Sequence, residues 1–315
     1  AIQVTAMLNN GAYVLSTSSV YNGKSLGSNG YVDGSASNWY LFDKGNGEYN
    51  LATIDGTTTK YLIADNTGTL CPTVETLPTN SNSIWKFVTR AEYLNAAVGS
   101  ASLTNPVEVT AVITNPNFSR NAEKKGWTVS ANGGDCKAAG DNANFNLQQW
   151  NGTFSASQEI SDLPNGAYKV TVQGFYRPGG NDASGAQNLK LTVNDAELPL
   201  MYVWEGGKDA QDGAWSAKNT GSGSDKYVPN SQGNVSAIFS ASEDNYLNTL
   251  PLANVTDGKV KITFAKSVAV GNDWSIVDNV RLYYLGETLA TSAEALNNGS
   301  SVDAGVWYKY EIGVD

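Results

Sequence analysis

Several aromatic side chains, and one arginine beside an aromatic, lie in polar or glycine-rich stretches of the sequence. They are Trp150, Tyr176, Arg177, Trp204, Trp215 and Tyr227. Sugar binding needs flat apolar rings against the C–H faces of the sugar, with planar polar groups nearby for its hydroxyls. Trp150 fits this description because it follows two glutamines and precedes an asparagine. We therefore predict that these six residues contribute to a saccharide-binding site.

Packing inside a protein core is the alternative role for each of these aromatic side chains. For Trp150 and Trp204 the sequence favours neither role. Trp215 lies in a glycine-rich loop without apolar periodicity and is expected to lie outside the core. Arg177 ends a predicted strand whose opposite face is apolar, so its alternative role is a solvated or loop-pinning arginine. Two further tryptophans lie beside regular strands and are predicted to be core residues, Trp127 and Trp274.

Histidine is absent from the sequence. Its absence removes Ser-His-Asp and Cys-His nucleophiles and imidazole-ligated zinc from the possible chemistry. A glycosidase would instead use a pair of carboxylates. The acidic candidates are Glu159, Asp162, Glu205 and Asp212. No motif fixes a partner for any of them, so we predict no catalytic residue and keep a glycoside hydrolase as the less favoured alternative.

The charge balance restricts the partners of the protein. Twenty Lys and Arg residues against 30 Asp and Glu give a net charge of -10 at pH 7. This argues against nucleic acid or an anionic membrane as the main partner and leaves a polysaccharide or glycan open. No run of roughly 18 apolar residues is present, so no transmembrane segment is predicted. Cys71 and Cys136 lie in different predicted domains and are expected to be unpaired thiols.

Composition and patterning predict an all-β protein. Sixteen Tyr, eight Trp and 32 Gly residues accompany short alternating apolar runs between turn residues. In the predicted strand 167–176, alternation directs Tyr168, Val170 and Val172 to the core. The opposite face, which ends at Arg177, is expected to be a mixed outer face. Strands of this length between long polar loops predict two packed antiparallel sheets.

The stretch 272–284 reads as a strand with one apolar face. Alternation places on this face Trp274, Ile276, Asp278, Val280, Leu282 and Tyr284. A buried carboxylate without a partner is costly, so Asp278 is expected to have a cation, several hydrogen-bond donors or a local bulge that turns it outward. Its apolar neighbours are predicted to be buried.

Residues 1–88 contain two rough copies of one unit. Each copy has a short strand, a Lys-x-Leu strand that ends at Leu26 or Leu62, and a strand that carries Trp39 or Trp85. The segment resembles the β-trefoil repeats of ricin-like proteins, with two repeats visible. Both tryptophans are predicted to pack in a core.

A helix is predicted directly after the second repeat. Thr89 and Glu92 have the spacing of a capping box, and Gly99 is expected to end the helix after Val98. The predicted divisions of the chain are a β-trefoil-like segment at 1–88, a helical linker at 89–105, a β-sandwich at 106–286, and a C-terminal tail or the start of a further domain at 287–315.

The middle of the chain carries an ordered set of short motifs. They are NPNF at 115–118, GW at 126–127, LPNGAY at 163–168, GFYR at 174–177, YVPN at 227–230 and DWSIVDNVRLYYLG at 273–286. With these motifs the region resembles the jelly-roll, galactose-binding-like domains of large secreted proteins of Bacteroidetes. The stretch 85–93 resembles the linker that such proteins place between a trefoil-like module and the jelly roll.

This resemblance implies non-catalytic carbohydrate binding by a secreted, periplasmic or cell-surface protein, often as an accessory to an enzyme. It also implies a structural calcium, with Asp278 in the position of a metal ligand in related domains. The sequence departs from the family pattern at Ser119, where many such domains carry an acidic residue. A structural or adhesive spacer module that binds protein, or no ligand, is the alternative function.

Overall fold

A computed structural model describes most of the chain. The described residues are 4–9, 11–17, 25–30, 36–64, 72–118, 123–140 and 145–286. Cys71, Ser119 and the tail 287–315 lie outside them, so the predictions made for these positions stay predictions. Within the described residues the elements are strands apart from two α-helices and three short 3-10 turns, which confirms the predicted all-β class.

The N-terminal part forms one antiparallel sheet of seven strands. The strands are β1 (Val4–Asn9), β2 (Ala12–Thr17), β3 (Trp39–Gly45), β4 (Glu48–Asp55), β5 (Thr58–Leu62), β6 (Thr73–Val74) and β7 (Trp85–Lys86). They pair in chain order from β1 to β6, and β7 pairs with β4. Trp39 is fully buried and forms a small core with Leu15 and Leu51, against which Trp85 packs half-buried.

Each of the two predicted repeats contains the same kind of hydrogen bond. The indole Nε1 of Trp39 donates to the carbonyl oxygen of Leu26 over 3.1 Å, and that of Trp85 donates to the carbonyl oxygen of Leu62 over 3.0 Å. In each copy the tryptophan therefore bonds the leucine of its own Lys-x-Leu segment. This equivalence supports the repeat, while the trefoil assignment stays a prediction.

The predicted helix is present as α1 (Arg90–Val98). The Thr89 side chain accepts from the Glu92 amide, the Glu92 carboxylate accepts from the Thr89 amide, and Gly99 is the C-cap, so the predicted capping box is confirmed. Leu94 and Ala97 of this helix pack into the core of the sandwich that follows.

The remaining elements form two further sheets, which pack as a sandwich, and a segment that covers one of these sheets. They are β8 (Val107–Glu108), β9 (Thr128–Asn132), β10 (Asp135–Gly140), β11 (Phe145–Trp150), β12 (Thr153–Ile160), β13 (Gly166–Arg177), β14 (Leu189–Val193), β15 (Ala196–Pro199), β16 (Ala217–Asn219), β17 (Lys226–Val228), α2 (Gln232–Ala241), β18 (Leu247–Val255), β19 (Val260–Lys266) and β20 (Trp274–Tyr284). A six-stranded sheet has the order β10-β11-β20-β13-β18, with β8 paired to β20. A five-stranded sheet has the order β15-β14-β19-β12-β9, and all pairs in both sheets are antiparallel.

The first core lies between these two sheets and confirms the jelly-roll sandwich. Apart from the pairs β10–β11 and β14–β15, successive strands of the two sheets alternate between them, and the apolar face of one sheet packs on that of the other. Tyr168, Val170 and Val172 are fully buried in this core, as predicted from alternation along β13. Trp127, which directly precedes β9, packs against Phe264 of β19 in the same five-stranded sheet, with ring centroids 5.7 Å apart.

A second core covers the outer face of the six-stranded sheet. Phe175, on the face of β13 predicted to be a mixed outer face, contacts the rings of Phe239 from α2, Tyr246 and Trp274. Gln173 and Arg177 on the same face are also buried. The prediction of an outer face was therefore wrong, because the covering segment, which lies between β15 and β18 and contains α2, packs over this face.

A bulge divides the closing strand β20 between the two cores. Thr171 of β13 pairs with Arg281, but Gln173 pairs with Asp278, so β20 contains one extra residue here, and Asn279 has a left-handed φ of 48°. Trp274 and Ile276 pack in the second core, whereas Val280, Leu282 and Tyr284 pack in the first. All of these residues are buried as predicted. The prediction that they share one face was wrong, because the extra residue reverses the alternation.

Candidate functional site

Two of the predicted site residues meet at one end of the six-stranded sheet. Trp150 of β11 is in register with Trp274 of β20, which is in register with Arg177 of β13. The guanidinium carbon of Arg177 lies 5.3 Å from the ring centroid of each tryptophan, and the two indoles contact edge to face. Trp150 is half-buried, so part of the residue remains accessible to solvent.

Arg177 holds two loops against this end of the sheet. Its Nη1 donates to the Oδ1 of Asn230 over 2.8 Å and to the Oδ1 of Asn181 over 3.3 Å. The residue is only 4% exposed, and its Nε is buried without a hydrogen-bond acceptor. Burial lowers the pKa of this guanidinium, and the charge of Asp273 opposes the shift. The arginine is therefore loop-pinning rather than solvated.

Tyr176 belongs to a buried polar cluster behind the arginine. Its hydroxyl donates to the Oδ2 of Asp273 over 3.0 Å and accepts from the Nδ2 of Asn188 over 3.2 Å, and burial raises its pKa. The Nζ of Lys266 lies 2.6 and 2.5 Å from the two carboxylate oxygens of Asp273. The ring of Tyr176 is fully buried, so the prediction that it offers a ligand-binding face was wrong. Neighbouring residues on a strand point to opposite faces, and here Arg177, rather than Tyr176, lies on the face that is turned towards the loops.

A second aromatic platform is formed by Tyr202 and Trp204. Their rings stack with centroids 4.4 Å apart and an interplanar angle of 10°, and both are half-buried. The Tyr202 hydroxyl donates to the carbonyl oxygen of Gly185 over 3.0 Å. A Cβ at Gly221 would clash with the Ala183 carbonyl oxygen, so only glycine fits where these loops meet.

Trp215 and Tyr227 lie in the same covering segment. The Nε1 of Trp215 donates to the carbonyl oxygen of Gly206 over 3.1 Å, and the Nζ of Lys208 lies 3.9 Å from its ring centroid. Lys208 and Tyr227 exchange two backbone hydrogen bonds. Trp215 is half-buried against the second core, as are Trp150 and Trp204. Their binding roles stay predictions.

A row of side-chain amides that sequence reasoning missed continues from Trp274. The Nε1 of Trp274 donates to the Oε1 of Gln148 over 3.1 Å, and Gln232 of α2 donates to the same oxygen. The Nδ2 of Asn146 donates to the Oε1 of Gln232 over 2.8 Å. The signal for α2 was present in the sequence, since Ser231 has an N-cap side chain and apolar residues follow at helical spacing.

The four acidic residues weighed for catalysis each have a partner that is not a carboxylate. Glu159 pairs with Lys259, Asp162 with Arg90 and Asp212 with Lys208, and Glu205 accepts from the amide of Tyr202. All four are exposed. Their contacts are those of surface ion pairs and a turn.

Asp278 is fully buried at the bulge of β20. The amide of Val280 donates to the carbonyl oxygen of Pro116 over 3.0 Å, which places the NPNF motif beside this point. The described residues contain no group of three or more acidic, cysteine or histidine side chains that could hold a metal. Calcium takes six to eight oxygens, so a site here would depend on backbone and amide oxygens beside one carboxylate. Residues 119–122, which follow the motif, lie outside the description.

No protein-family model and no curated protein sequence matches the chain. Among solved structures, the carbohydrate-binding module TmCBM61 in complex with β-1,4-galactotriose matches with a TM-score of 0.33 and 18% identity, over 55% of this chain and 97% of that chain. The K3 cleaved adhesin domain of Lys-gingipain from Porphyromonas gingivalis matches with a TM-score of 0.29 and 12% identity, over 56% and 98%.

Carbohydrate-binding modules from the β-sandwich superfamily also match, with a TM-score of 0.27 and 11% identity over 89% of this chain and 97% of that chain. At these identities and TM-scores the likeness does not identify a family or a ligand for this chain. Over the part of the chain that the structure describes, no helix has the length and apolarity to cross a membrane.

Proposed function

We propose that the sandwich binds a glycan without catalysis, at the end of the six-stranded sheet that carries Trp150. The observation that supports this most is a half-buried indole beside two side-chain amides held by one buried arginine. Because the Oδ1 atoms of Asn181 and Asn230 accept from Arg177, their Nδ2 groups are directed away from it, as donors for sugar hydroxyls. A ring and fixed planar donors are the two elements that sugar recognition needs.

The protein that carries this site is proposed to be secreted or exposed at a cell surface, as part of a glycan-binding assembly. The covering segment contributes further candidate platforms at Trp204, Trp215 and Tyr227, which would extend the site to neighbouring sugars. The competing function is a structural or adhesive spacer, which needs no ligand at Trp150. A binding experiment separates the two functions.

Trp150→Ala is expected to weaken glycan binding at least tenfold, since the ring supplies the apolar platform. The full chain is first applied to a glycan array, and the strongest ligand is then titrated into both forms by calorimetry. Tyr40→Ala is the matched control, because Tyr40 is a 36% exposed aromatic on the N-terminal sheet. Equal affinity of Trp150→Ala and the wild type would move the site elsewhere, and a broad array without binding would favour the spacer.

We also propose, from the family resemblance, that Asp278 helps to hold a structural calcium. A ligand that binds only the folded state raises the melting temperature. Chelation with EDTA is therefore expected to lower Tm by several degrees, and readdition of calcium should restore it. Asp278→Asn should lose both the response and the metal found by elemental analysis. An unchanged Tm together with a metal-free wild-type protein would refute this assignment.

A further inference from the structure

The buried charges behind Trp150 do not cancel. Lys266 and Asp273 form an ion pair in which both side chains are fully buried. Arg177 is buried beside them, yet it takes part in no ion pair among the described residues, and its side-chain partners are the neutral amides of Asn181 and Asn230. An arginine keeps its charge in a protein. Among these three charges one positive charge therefore has no ion-pair partner, and the other buried carboxylate, Asp278, lies four residues beyond Trp274 at the bulge of β20.

The N-terminus of α2 adds to this positive potential. The helix has ten residues, and its N-cap Ser231 directly follows Asn230, the hydrogen-bond partner of Arg177. The first turn contains no acidic residue. Gly233 leaves open space there, since a Cβ would have only the Ser231 hydroxyl within 4.0 Å. Helix N-termini favour anions because their amides and the helix dipole present partial positive charge.

Two independent features thus converge on Asn230: a buried guanidinium with an unsatisfied Nε, and a helix N-terminus that has a serine N-cap but no acidic residue in its first turn. We propose that this corner receives the anionic group of an acidic saccharide, a uronate carboxylate or a sulfate ester, while Trp150 contacts the sugar ring. The proposal rests on the glycan-binding function given above and adds the class of sugar. The net charge of -10 repels a polyanionic chain, so we expect one acidic sugar within an otherwise neutral glycan.

The experiment compares sugars that differ only in charge. The full chain is titrated, at low salt, with galactose against galacturonic acid, glucose against glucuronic acid, and galactose against galactose 6-sulfate, followed by ligand-observed NMR. In the pair whose sugar ring fits, the acidic member is expected to bind at least tenfold more tightly. The pair of sugars that shows the preference identifies the bound anionic group as a carboxylate or as a sulfate ester.

Asn230→Asp is the most informative variant, because it is isosteric, lies at an exposed position and places a carboxylate beside Arg177. It is expected to reduce the ratio of acidic to neutral affinity to about one. Arg281→Gln is the matched control, since Arg281 is paired with Glu108 and Glu243 on another part of β20, and the ratio should stay unchanged.

The outcomes separate this inference from the proposed function. Binding of neutral sugars without preference for their acidic partners would overturn the inference and leave glycan binding intact. A preference that survives in Asn230→Asp would also overturn it, because the anion would then lie elsewhere. If neither these sugars nor a glycan array shows binding, the proposed function itself fails.

Discussion

Asp273→Asn is expected to destabilise the sandwich by about 3–5 kcal/mol, because it leaves the Lys266 ammonium buried without its anion. Both side chains of this pair are fully buried, and their N–O distances are 2.6 and 2.5 Å. The other contacts of the ammonium cannot replace the carboxylate, since the carbonyl oxygen of Asn151 lies 3.4 Å away. The free energy of unfolding in urea, followed by tryptophan fluorescence, measures the effect.

Lys266→Met should cost a similar amount, because the Asp273 carboxylate then retains only the Tyr176 hydroxyl among its side-chain donors. The double variant, which combines Lys266→Met with Asp273→Asn, is expected to be far more stable than the sum of the single effects, since neither charge of the pair remains. Lys190→Met is the control: its pair with Glu197 is about half exposed, so the loss should be at most ~1 kcal/mol. A loss of unfolding free energy below ~1 kcal/mol in Asp273→Asn would instead show that water reaches the pair.

Local patterns in the sequence predicted those parts of the fold that local physics decides. The period of two along β13 correctly identified Tyr168, Val170 and Val172 as core residues, since alternation needs no knowledge of the partner strand. The capping box of α1 was equally local, because Thr89 and Glu92 satisfy each other. Such features depend on only three to five neighbouring residues.

The errors arose where distant segments decide the outcome. The bulge at Asn279 depends on how β20 pairs with β13, a strand about a hundred residues earlier, so alternation within 272–284 could not show it. The burial of Phe175 likewise depends on α2, which packs over a face that would otherwise be solvated. The sequence of a strand therefore indicates only weakly whether a distant segment packs over one of its faces.

The candidate site shows the same division. Trp150 and Arg177 were identified from residue type and polar context, and the structure places them together. The amides that complete the site come from separate loops, with Asn230 lying 53 residues after Arg177. The side-chain contacts that turn one tryptophan into a candidate site therefore could not be derived from spacing.

Phe175→Ala is expected to cost about 3–5 kcal/mol and to loosen the covering segment selectively. The ring is fully buried, with centroids 5.0 Å from Tyr246, 5.4 Å from Trp274 and 6.5 Å from Phe239. It therefore joins the six-stranded sheet to α2 across the second core. The alanine would remove this connection and leave a cavity, while the first core on the other face of β13 keeps all of its side chains.

Hydrogen exchange followed by mass spectrometry tests this selectivity. Amides of α2 are expected to exchange much faster in Phe175→Ala, whereas those of β12 and β19, which belong to the five-stranded sheet, should change less. Phe42→Ala is the control, because that ring is 53% exposed and its loss should change stability by at most ~0.5 kcal/mol. Because Asn230 directly precedes the N-cap of α2, the same variant should also weaken glycan binding. Uniform acceleration across both sheets would instead mean that the two cores unfold as one unit, and that α2 has no separate role in holding the site.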